Sequence, residues 1–323
     1  MDYSKDNADA AIVSFTLTSA HAGLRLDQAL ARLLPEYSRA RLQEWVAQGS
    51  VTLDGAAASS KQKVWGGERV EVTPQAHPAA HAYLAEDIAL QVVFEDDSLI
   101  ILNKPAGLVV HPGSGNWNST LLNALLHHAP QLAHVPRAGI VHRLDKDTSG
   151  LLAVAKTLTA QTALVRQLQA RTVAREYFAL VFGEVARGGT VDAPLGRHPT
   201  QRTRMAVVQT GKTATTHYSV EERFPHCTLL RCKLETGRTH QIRVHLASIG
   251  HPLVGDRTYL KGAQKCAPHL RSIVEAFPRQ ALHATQLGLT HPASGTWLHW
   301  QAALPPDMAK LLAQMRKGAH EPA

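Results

Sequence analysis

The segment from 138 to 157, AGIVHRLDKDTSGLLAVAKT, concentrates charged side chains between two apolar stretches. Arg143, Asp145 and Asp147 lie between an Ile–Val pair and a Leu–Leu–Ala–Val run, and Gly150 provides a turn. One interpretation is a charged surface loop whose ions pair with one another. The other is a single carboxylate presented at the mouth of a cleft and kept ionised by adjacent cations, which makes it a candidate functional group. The loop by itself leaves both interpretations open.

A second segment, LETGRTHQIRVHLASIG at 234–250, carries cationic and amide donors at high density. Its basic residues are Arg238, His240, Arg243 and His245. In an extended strand, Arg243 and His245 would share one face. Such donors suit contacts to phosphate or a fork that grips a carboxylate. A solvated edge strand is the alternative, but the flanking apolar residues indicate that the segment is half buried, where an idle charge is costly.

The third segment, EDDSLIILNKPAGLVVHPGSGN at 95–116, places Lys104 and His111 on either side of an apolar LVV. The residue pattern favours a plain hairpin with a glycine-rich loop. Two further stretches, 193–220 and 257–272, contain basic residues and no acidic ones. Stretches of this kind are usually solvated loops, but several in one chain fit a surface that follows a nucleic-acid backbone.

A small helical module is predicted before these segments. Apolar residues recur at helical spacing over 26–33, and Pro35 ends that helix. Ser38 is a suitable N-cap for a second helix, which carries Trp45 on its apolar face. Short alternating strands on either side of Asp54–Gly55 predict a hairpin.

The rest of the chain, to about residue 310, alternates short β-rich runs with turns. Strand candidates include EYFALVFGEV, TTHYSVEERF and CTLLRCKLET, and residues 158–171 predict an amphipathic helix. Because few helices are available to connect parallel strands, this pattern predicts an α+β domain with a mixed, mainly antiparallel sheet.

Composition limits the class of protein. The chain has 323 residues, of which 44% are hydrophobic, so about two globular domains are expected. Lysine and arginine exceed the acidic residues by 34 to 26, and this net charge of +8 favours polyanionic partners. Three cysteines cannot build a disulfide framework, and no apolar run approaches the length of a membrane span. The charged N-terminus does not resemble a secretory signal, so we expect a cytoplasmic protein.

Nucleotide, metal and hydrolase sites find no support in the sequence. The fragment TGKT at 210–213 is similar to part of a P-loop, but Ala206 stands where that motif needs glycine. The 19 histidines lack metal-ligand spacing, and Cys227 and Cys232 have no second pair nearby. The GxSxG turn of many serine hydrolases is not present. We therefore expect no cofactor and no metal.

Together the segments resemble the motifs of one enzyme family. The motifs of the RluA-type pseudouridine synthases are matched, in the order of the chain, by NKPAGLVVHPG at 103–113, HRLDKDTSG at 142–150, REYFALVFG at 175–183 and TGRTHQIRVHL at 236–246. The N-terminal module is similar to the small RNA-binding domain named after ribosomal protein S-four. The resemblance implies a flexible tail at 1–20, the RNA-binding domain at 21–75, a linker at 76–88, the catalytic domain at 89–310 and a C-terminal tail at 311–323.

The resemblance also implies roles for individual residues. Asp145 matches the family's essential aspartate, and Tyr177 matches the tyrosine that stacks on the target ring. Arg243 matches the basic residue that pairs with the aspartate and keeps it ionised, and Arg143 matches the arginine that fills the space left by a flipped base. Further contacts to RNA are expected from Arg32, Arg39 and Arg41 in the N-terminal module and from His142, Arg238 and His240 near the site.

The reaction implied is the isomerisation of uridine to pseudouridine in large-subunit (23S) ribosomal RNA, with the loop of helix 69 as the expected target. Asp145 either attacks the anomeric carbon or initiates elimination through the ribose, and the sequence leaves both routes open. The expected partner of this monomer is large-subunit ribosomal RNA or a pre-ribosomal large subunit, without a membrane. The alternatives are a sister enzyme that acts on another rRNA or tRNA uridine, and a non-catalytic RNA-binding ribosome-assembly protein.

Overall fold

The computed structural model describes residues 12–35, 37–74, 83–113, 115–260 and 268–318. The chain divides into two compact units, Met1–Ala80 and His81–Ala323. Within the described ranges, no helix is both long enough and apolar enough to cross a membrane.

The first unit packs two helices against a four-stranded antiparallel sheet with strand order β1-β4-β2-β3. Its elements are β1 (Val13–Thr16), α1 (Leu26–Leu33), α2 (Arg39–Ala47), β2 (Val51–Leu53), β3 (Ala56–Ala57) and β4 (Arg69–Val72). The predicted helix start is confirmed, because the Ser38 hydroxyl accepts the backbone N–H of Arg41 at the beginning of α2. Leu30, Leu42 and Trp45 are buried in the core of this unit.

The second unit is built on a nine-stranded sheet. Its elements are β5 (Val92–Glu95), β6 (Leu99–Lys104), α3 (Leu121–His128), β7 (Ser149–Ala155), α4 (Leu158–Gln169), β8 (Ala174–Phe182), β9 (Gly189–Asp192), β10 (Leu195–Arg197), β11 (Met205–Val207), β12 (Thr215–Phe224), β13 (Cys227–Leu234), α5 (Gln241–Ser248), α6 (Pro268–Glu275), β14 (Leu282–Thr290), β15 (Trp297–Gln301) and α7 (Pro306–Gly318). The two strands β10 and β11 form a separate hairpin.

The large sheet has the strand order β5-β6-β7-β14-β8-β13-β12-β9, and β15 pairs with β14. Strands β7 and β14 are parallel, whereas the other ladders between the described strands are antiparallel. The predicted α+β class with a mixed, mainly antiparallel sheet is therefore confirmed. At the parallel pair, Gly150 lies opposite Ala284 with φ +114°, and a Cβ at this position would collide with the backbone of β14.

Both faces of the sheet are covered because the strands alternate their apolar side chains. Ile100 and Leu102 belong to the core on the face of α3 and α5. Leu99 and Ile101 belong to a second core, which includes residues of α4. The strands that carry the site are thus held from both sides.

Two predicted boundaries at the N-terminal side are wrong in part. Residues 1–20 were expected to be a tail, but β1 pairs with β4 from Val13 to Thr16 because its alternating pattern fits a sheet edge. Of the predicted linker at 76–88, residues 76–82 lie outside the described residues. The remainder packs on the second unit, since Glu86 accepts the N–H of Ser119 at 2.9 Å and Asn123 donates to the carbonyl of Leu84 at 2.7 Å.

The predicted C-terminal tail at 311–323 is also corrected. Residues up to Gly318 continue α7, and only 319–323 lie outside the described residues. Met308, Leu311, Leu312 and Met315 recur at helical spacing and are buried against α6 and the sheet. This periodic pattern is sufficient to dock the segment as a helix.

The second charged segment differs from its predicted conformation. It does not continue as an extended strand, because α5 begins at Gln241 and runs to Ser248. Arg243 and His245 consequently point to different neighbours instead of sharing a face. His245 donates from Nε2 to the carbonyl of Ala193 and shares a hydrogen bond between Nδ1 and the Thr216 hydroxyl. Arg243 contacts Asp145 and Asp256 instead.

We expect His283, which is fully buried on β14, to make stability depend on pH. Burial lowers the pKa of this imidazole from 6.5 to about 4. As the pH falls below 6.5 the unfolded chain takes up the proton first, so the stabilising contribution is complete above this pH and is lost towards pH 4. When the pH is lowered from about 7.5 to about 5.5, the contribution of His283 to the free energy of unfolding should fall by roughly 1 kcal/mol.

Urea unfolding of the wild type and of His283→Gln at these two pH values measures this contribution. Because His111 and His142 are also held with low pKa values, the difference between the two proteins isolates His283. An identical pH dependence in both proteins would show that the assignment is wrong.

Candidate active site

A cavity of about 560 Å³ in the second unit collects the charged segments that the sequence singled out. Asp145 comes from the loop before β7, Tyr177 from β8 and Arg243 from α5, and all three line this cavity. Arg143, His142, Arg238 and His240 line it as well. The interpretation of 142–147 as an isolated surface loop is therefore wrong, since its carboxylate lies in a cleft.

The centre of the site is an arginine held between two carboxylates. Arg243, with a side chain 6% exposed, donates from Nη1 to Asp145 Oδ2 at 2.9 Å. Its Nε and Nη2 donate to the two oxygens of Asp256 at 2.7 and 2.8 Å. Burial alone would lower the pKa of Arg243, but the hydrogen bonds and charges of Asp256 and Asp145 raise it above the ordinary value. Arg243 therefore supplies a permanent positive charge beside Asp145.

His240 and Tyr259 complete this side of the cavity. His240 Nε2 lies 3.9 Å from Asp145 Oδ1, and its Nδ1 shares a hydrogen bond of 2.7 Å with the Tyr259 hydroxyl. Burial lowers the pKa of His240, although the charge of Asp145 opposes this shift. The Tyr259 ring lies against the Arg243 guanidinium at 5.1 Å. A neutral imidazole and a phenol thus flank the ion pair.

Three side chains hold the loop that carries Asp145. The ammonium group of Lys104, buried at the end of β6, donates to the carbonyl of Lys146 at 2.9 Å. Arg279 donates to the carbonyl of Asp147 at 3.0 Å, and the Gln280 amide donates to the Thr148 hydroxyl at 3.2 Å. Burial lowers the pKa of Lys104 to about 7, with the charges of Asp147 and Asp145 acting in the opposite direction.

The remaining predicted residues take different positions around the cavity. Tyr177 is 6% exposed, so its ring forms part of the inner wall. Arg143 and Arg238 are exposed, and Arg238 donates to the carbonyl of Thr213 at 3.2 Å. His142 does not carry the positive charge expected of a phosphate contact. Its Nε2 accepts the N–H of Ala153 at 3.0 Å, and burial lowers its pKa to about 3.

The three arginines predicted to bind RNA in the first unit are partly engaged within the unit. Arg39 donates from Nε and Nη2 to Asp27 at 3.0 and 2.9 Å, and Arg25 and Gln43 bind the same buried carboxylate. Arg41 lies over the Trp45 ring at 5.2 Å. Arg32, on the exposed side of α1, donates to the carbonyl of Ala20 at 3.3 Å. These contacts fix the arginine positions on one small scaffold.

Sequence reasoning missed Asp256, Tyr259 and Arg279, which position the predicted residues. Asp256 follows a buried apolar run in PLVGDRTY. An acidic residue directly after such a run is the sequence feature that could have marked Asp256 as a candidate site residue. Nothing in the sequence relates it to Arg243, because the contact depends on the tertiary fold. Among the described residues, no group of histidine, cysteine and carboxylate side chains could hold a metal ion.

Comparison with known proteins identifies the family. The model of the RNA pseudouridylate synthase family matches residues 98–248, and the S4 domain model matches residues 24–70. The chain belongs to the pseudouridine synthases and is an RNA-modifying isomerase, so the resemblance of its motifs is confirmed. The S4-type RNA-binding domain at its N-terminal side is confirmed as well.

Curated relatives match over nearly the full length. The chain is 61% identical to ribosomal large subunit pseudouridine synthase D of Nitrosomonas europaea. The match covers 95% of this chain and 89% of that protein. It is 51% identical to the protein of the same name from Escherichia coli strain K12, covering 95% of each. Two solved human structures also match. The one titled "Human RNA Pseudouridylate Synthase Domain Containing 1" has a TM-score of 0.55 and 25% identity, and the match covers 70% of this chain and 89% of that one. The one titled "Human RNA Pseudouridylate Synthase Domain Containing 4" has a TM-score of 0.56 and 26% identity, and the match covers 70% of this chain and 93% of that one.

We expect Asp256→Asn to slow isomerisation because the fork that orients Arg243 loses its charge. A misplaced ion pair of this kind should reduce the single-turnover rate by about 10- to 100-fold with little change in RNA affinity. Release of tritium from carbon five of labelled uridine measures the rate, and filter binding measures affinity.

Asp192→Asn is a suitable control, because Asp192 is an exposed carboxylate that accepts a hydrogen bond from the Thr215 hydroxyl. A fully active and normally folded Asp256→Asn protein would contradict the positioning role.

Proposed function

We propose that this protein isomerises uridine to pseudouridine in large-subunit ribosomal RNA, with the loop of helix 69 as its target. The observation that carries this proposal is the Asp145–Arg243 ion pair on the wall of a cavity that also contains Tyr177. The name of these relatives, ribosomal large subunit pseudouridine synthase D, supports the substrate class. A sister enzyme for another rRNA or tRNA uridine is the second candidate, favoured only by the shared catalytic motifs.

In the proposed mechanism, Asp145 acts on the ribose of a uridine that has left its stack. The carboxylate either forms a bond to the anomeric carbon or initiates elimination through the ribose, and the bond from C1′ to N1 breaks. The uracil turns within the cavity and C5 bonds to C1′. On the addition route the new bond displaces the Asp145 carboxylate from C1′, and on the elimination route the proton taken from the ribose is returned to it. C5 then loses its proton and N1 takes up a proton. The product is an isomer of the substrate, so the overall reaction consumes no energy source and no redox partner.

Neighbouring residues serve the nucleotide in this scheme. Extrusion of a uridine from a stem-loop costs a few kcal/mol, and exposed Arg143 at the mouth of the cavity is placed to occupy the vacated space. Tyr177 offers an aromatic face on the inner wall for the target ring. Arg238 and His240 are the nearest further contacts to RNA, whereas neutral His142 supports β7.

The partner we propose is large-subunit ribosomal RNA or a pre-ribosomal large subunit, bound by a monomer in the cytoplasm. The net charge of +8 and the S4-type domain support a polyanionic partner. With three cysteines and no disulfide framework, the chain also suits a reducing compartment.

Asp145→Asn and Asp145→Ala are expected to abolish isomerisation and to leave RNA binding nearly intact. Asp145 occupies the nucleophile position, whereas affinity is distributed over many basic residues. Tritium release from RNA labelled at carbon five of uridine counts turnovers directly.

Asp147→Ala is the matched control, since it removes a carboxylate two residues away and should retain activity. Appreciable tritium release by Asp145→Ala would refute the assignment. Mapping of pseudouridines in ribosomal RNA from a deletion strain distinguishes helix 69 from the sites of sister enzymes.

The first unit is expected to provide affinity and site selectivity without taking part in the chemistry. A protein that begins at residue 81 keeps the whole second unit and should remain catalytically competent. For each lost phosphate contact, the slope of log affinity against log salt should flatten by roughly one unit.

Salt titrations of binding to a helix 69 transcript, with tritium release alongside, compare the two proteins. Arg32→Ala in the full-length protein provides the point-mutant counterpart, because this side chain is exposed. Unchanged affinity, salt slope and site choice after truncation would assign the first unit another role.

A further inference from the structure

A second arginine in the cavity, Arg175 on β8, is buried without a counter-ion. Arg175 is 6% exposed. Within the described part of the chain, no carboxylate lies within 4 Å of its guanidinium. Nη2 donates to the backbone carbonyl of Glu235 at 3.2 Å, and buried Nε has no hydrogen-bond partner. Burial lowers the pKa of Arg175, and only Tyr177 acts in the opposite direction. A buried cation is costly unless an anion or a strong acceptor satisfies it.

Glu235, whose backbone carbonyl contacts Arg175, directs its carboxylate to other partners. Glu235 directs its side chain to Arg171 at 2.9 Å and to His217 at 2.7 Å, so only its backbone reaches Arg175. The turn above the guanidinium is also shaped for it, because a Cβ at Gly237 would lie 2.6 Å from Arg175 Nη1. The turn therefore packs closely on the guanidinium without neutralising it.

Arg175 and Tyr177 line the same cavity as Asp145. Residues 175 and 177 share one face of β8, about 6.6 Å apart along the strand. Burial raises the pKa of Tyr177, while the charge of Arg175 acts to lower it and the charge of Asp145 to raise it. A nucleotide with its anomeric carbon at Asp145 and its base on Tyr177 would extend the far edge of that base towards Arg175.

We propose that Arg175 is a catalytic residue that donates hydrogen bonds to the carbonyl oxygens of the target uracil and stabilises the base as it leaves the ribose. This inference rests on the proposed function. A backbone phosphate is the less suitable acceptor, because the exposed cations Arg143 and Arg238 stand at the mouth of the cavity and Arg175 is buried within it.

The chemistry calls for such a donor. When the bond from C1′ to N1 breaks, its electron pair passes to the uracil and is delocalised onto O2 and O4. Arg175 would stabilise this charge by hydrogen bonding and would transfer no proton. The bond from C5 to C1′ then forms as the Asp145 carboxylate leaves C1′, or as the ribose regains its proton on the elimination route. C5 loses its proton and N1 gains one, so atoms and electrons balance. Preorganised donors aimed at a developing charge are among the strongest contributions to catalysis.

Single-turnover tritium release tests this with RNA that carries uridine, 2-thiouridine or 4-thiouridine at the target position. Sulfur is a weaker hydrogen-bond acceptor than oxygen, so one of the two thio-substitutions should slow the wild type. Arg175→Gln should lower the rate on uridine by about 100-fold with little change in Kd. In that variant the same thio-substitution should have little further effect, because the two changes remove one interaction. Arg175→Lys should retain part of the rate.

Arg231→Gln is the matched control, because Arg231 lies on the opposite face of the sheet with Glu221 and Glu176 as partners. A wild type that tolerates both thio-substitutions, or additive effects in Arg175→Gln, would overturn the proposal. A weaker Kd with an unchanged rate would also overturn it and would assign Arg175 to a phosphate. If the wild type releases no tritium from uridine RNA, the proposed function itself fails, which is a separate result.

Discussion

Arg243 forms a buried three-part ion cluster with Asp256 and Asp145, and the geometry of the cavity depends on it. Asp256 binds Nε and Nη2, which leaves Nη1 for Asp145. Because the guanidinium is planar, anchoring two of its nitrogens fixes the direction in which the third donates. The position of Asp145 is thereby set from Asp256, which lies outside the loop of Asp145. Lysine, a point charge without this fork, could not transmit the same orientation.

The loop of Asp145 also depends on the end of the chain. Arg279 donates to the carbonyl of Asp147 and binds the carboxylate of Asp307 through Nε and Nη2 at 2.7 and 3.0 Å. Asp307 lies in the first turn of α7, whose apolar face is buried. Docking of this helix thus holds Arg279 in place, and Arg279 holds the loop. Helix α7 contributes to the precision of the cavity without lining it.

Local patterns predicted most elements but not the contacts between them. The helix from Leu26, the cap at Ser38 and the antiparallel sheet follow from spacing and turn residues, and all are confirmed. The segment around Arg243 was misjudged as extended, because its low amphipathicity hides a short helix that is buried on several sides. Asp256 could not be linked to Arg243 from sequence, since only tertiary packing brings them together. The roles of the site residues were predicted from the resemblance of the motifs to a known family, because residue spacing alone did not distinguish a functional carboxylate from a surface ion pair.

The cavity contains one arginine that carboxylates neutralise, Arg243, and one without a carboxylate partner, Arg175. This difference suits the proposed reaction. Before bond cleavage the negative charge lies on Asp145, beside Arg243. On the addition route the carboxylate loses its charge as it bonds to the ribose, while negative charge develops on the uracil near Arg175. Arg243 does not then become an unpaired buried cation, because Asp256 remains bound to it. The second carboxylate therefore keeps the cluster stable while the charge moves, and the uncompensated arginine gains its counter-charge only as the base departs.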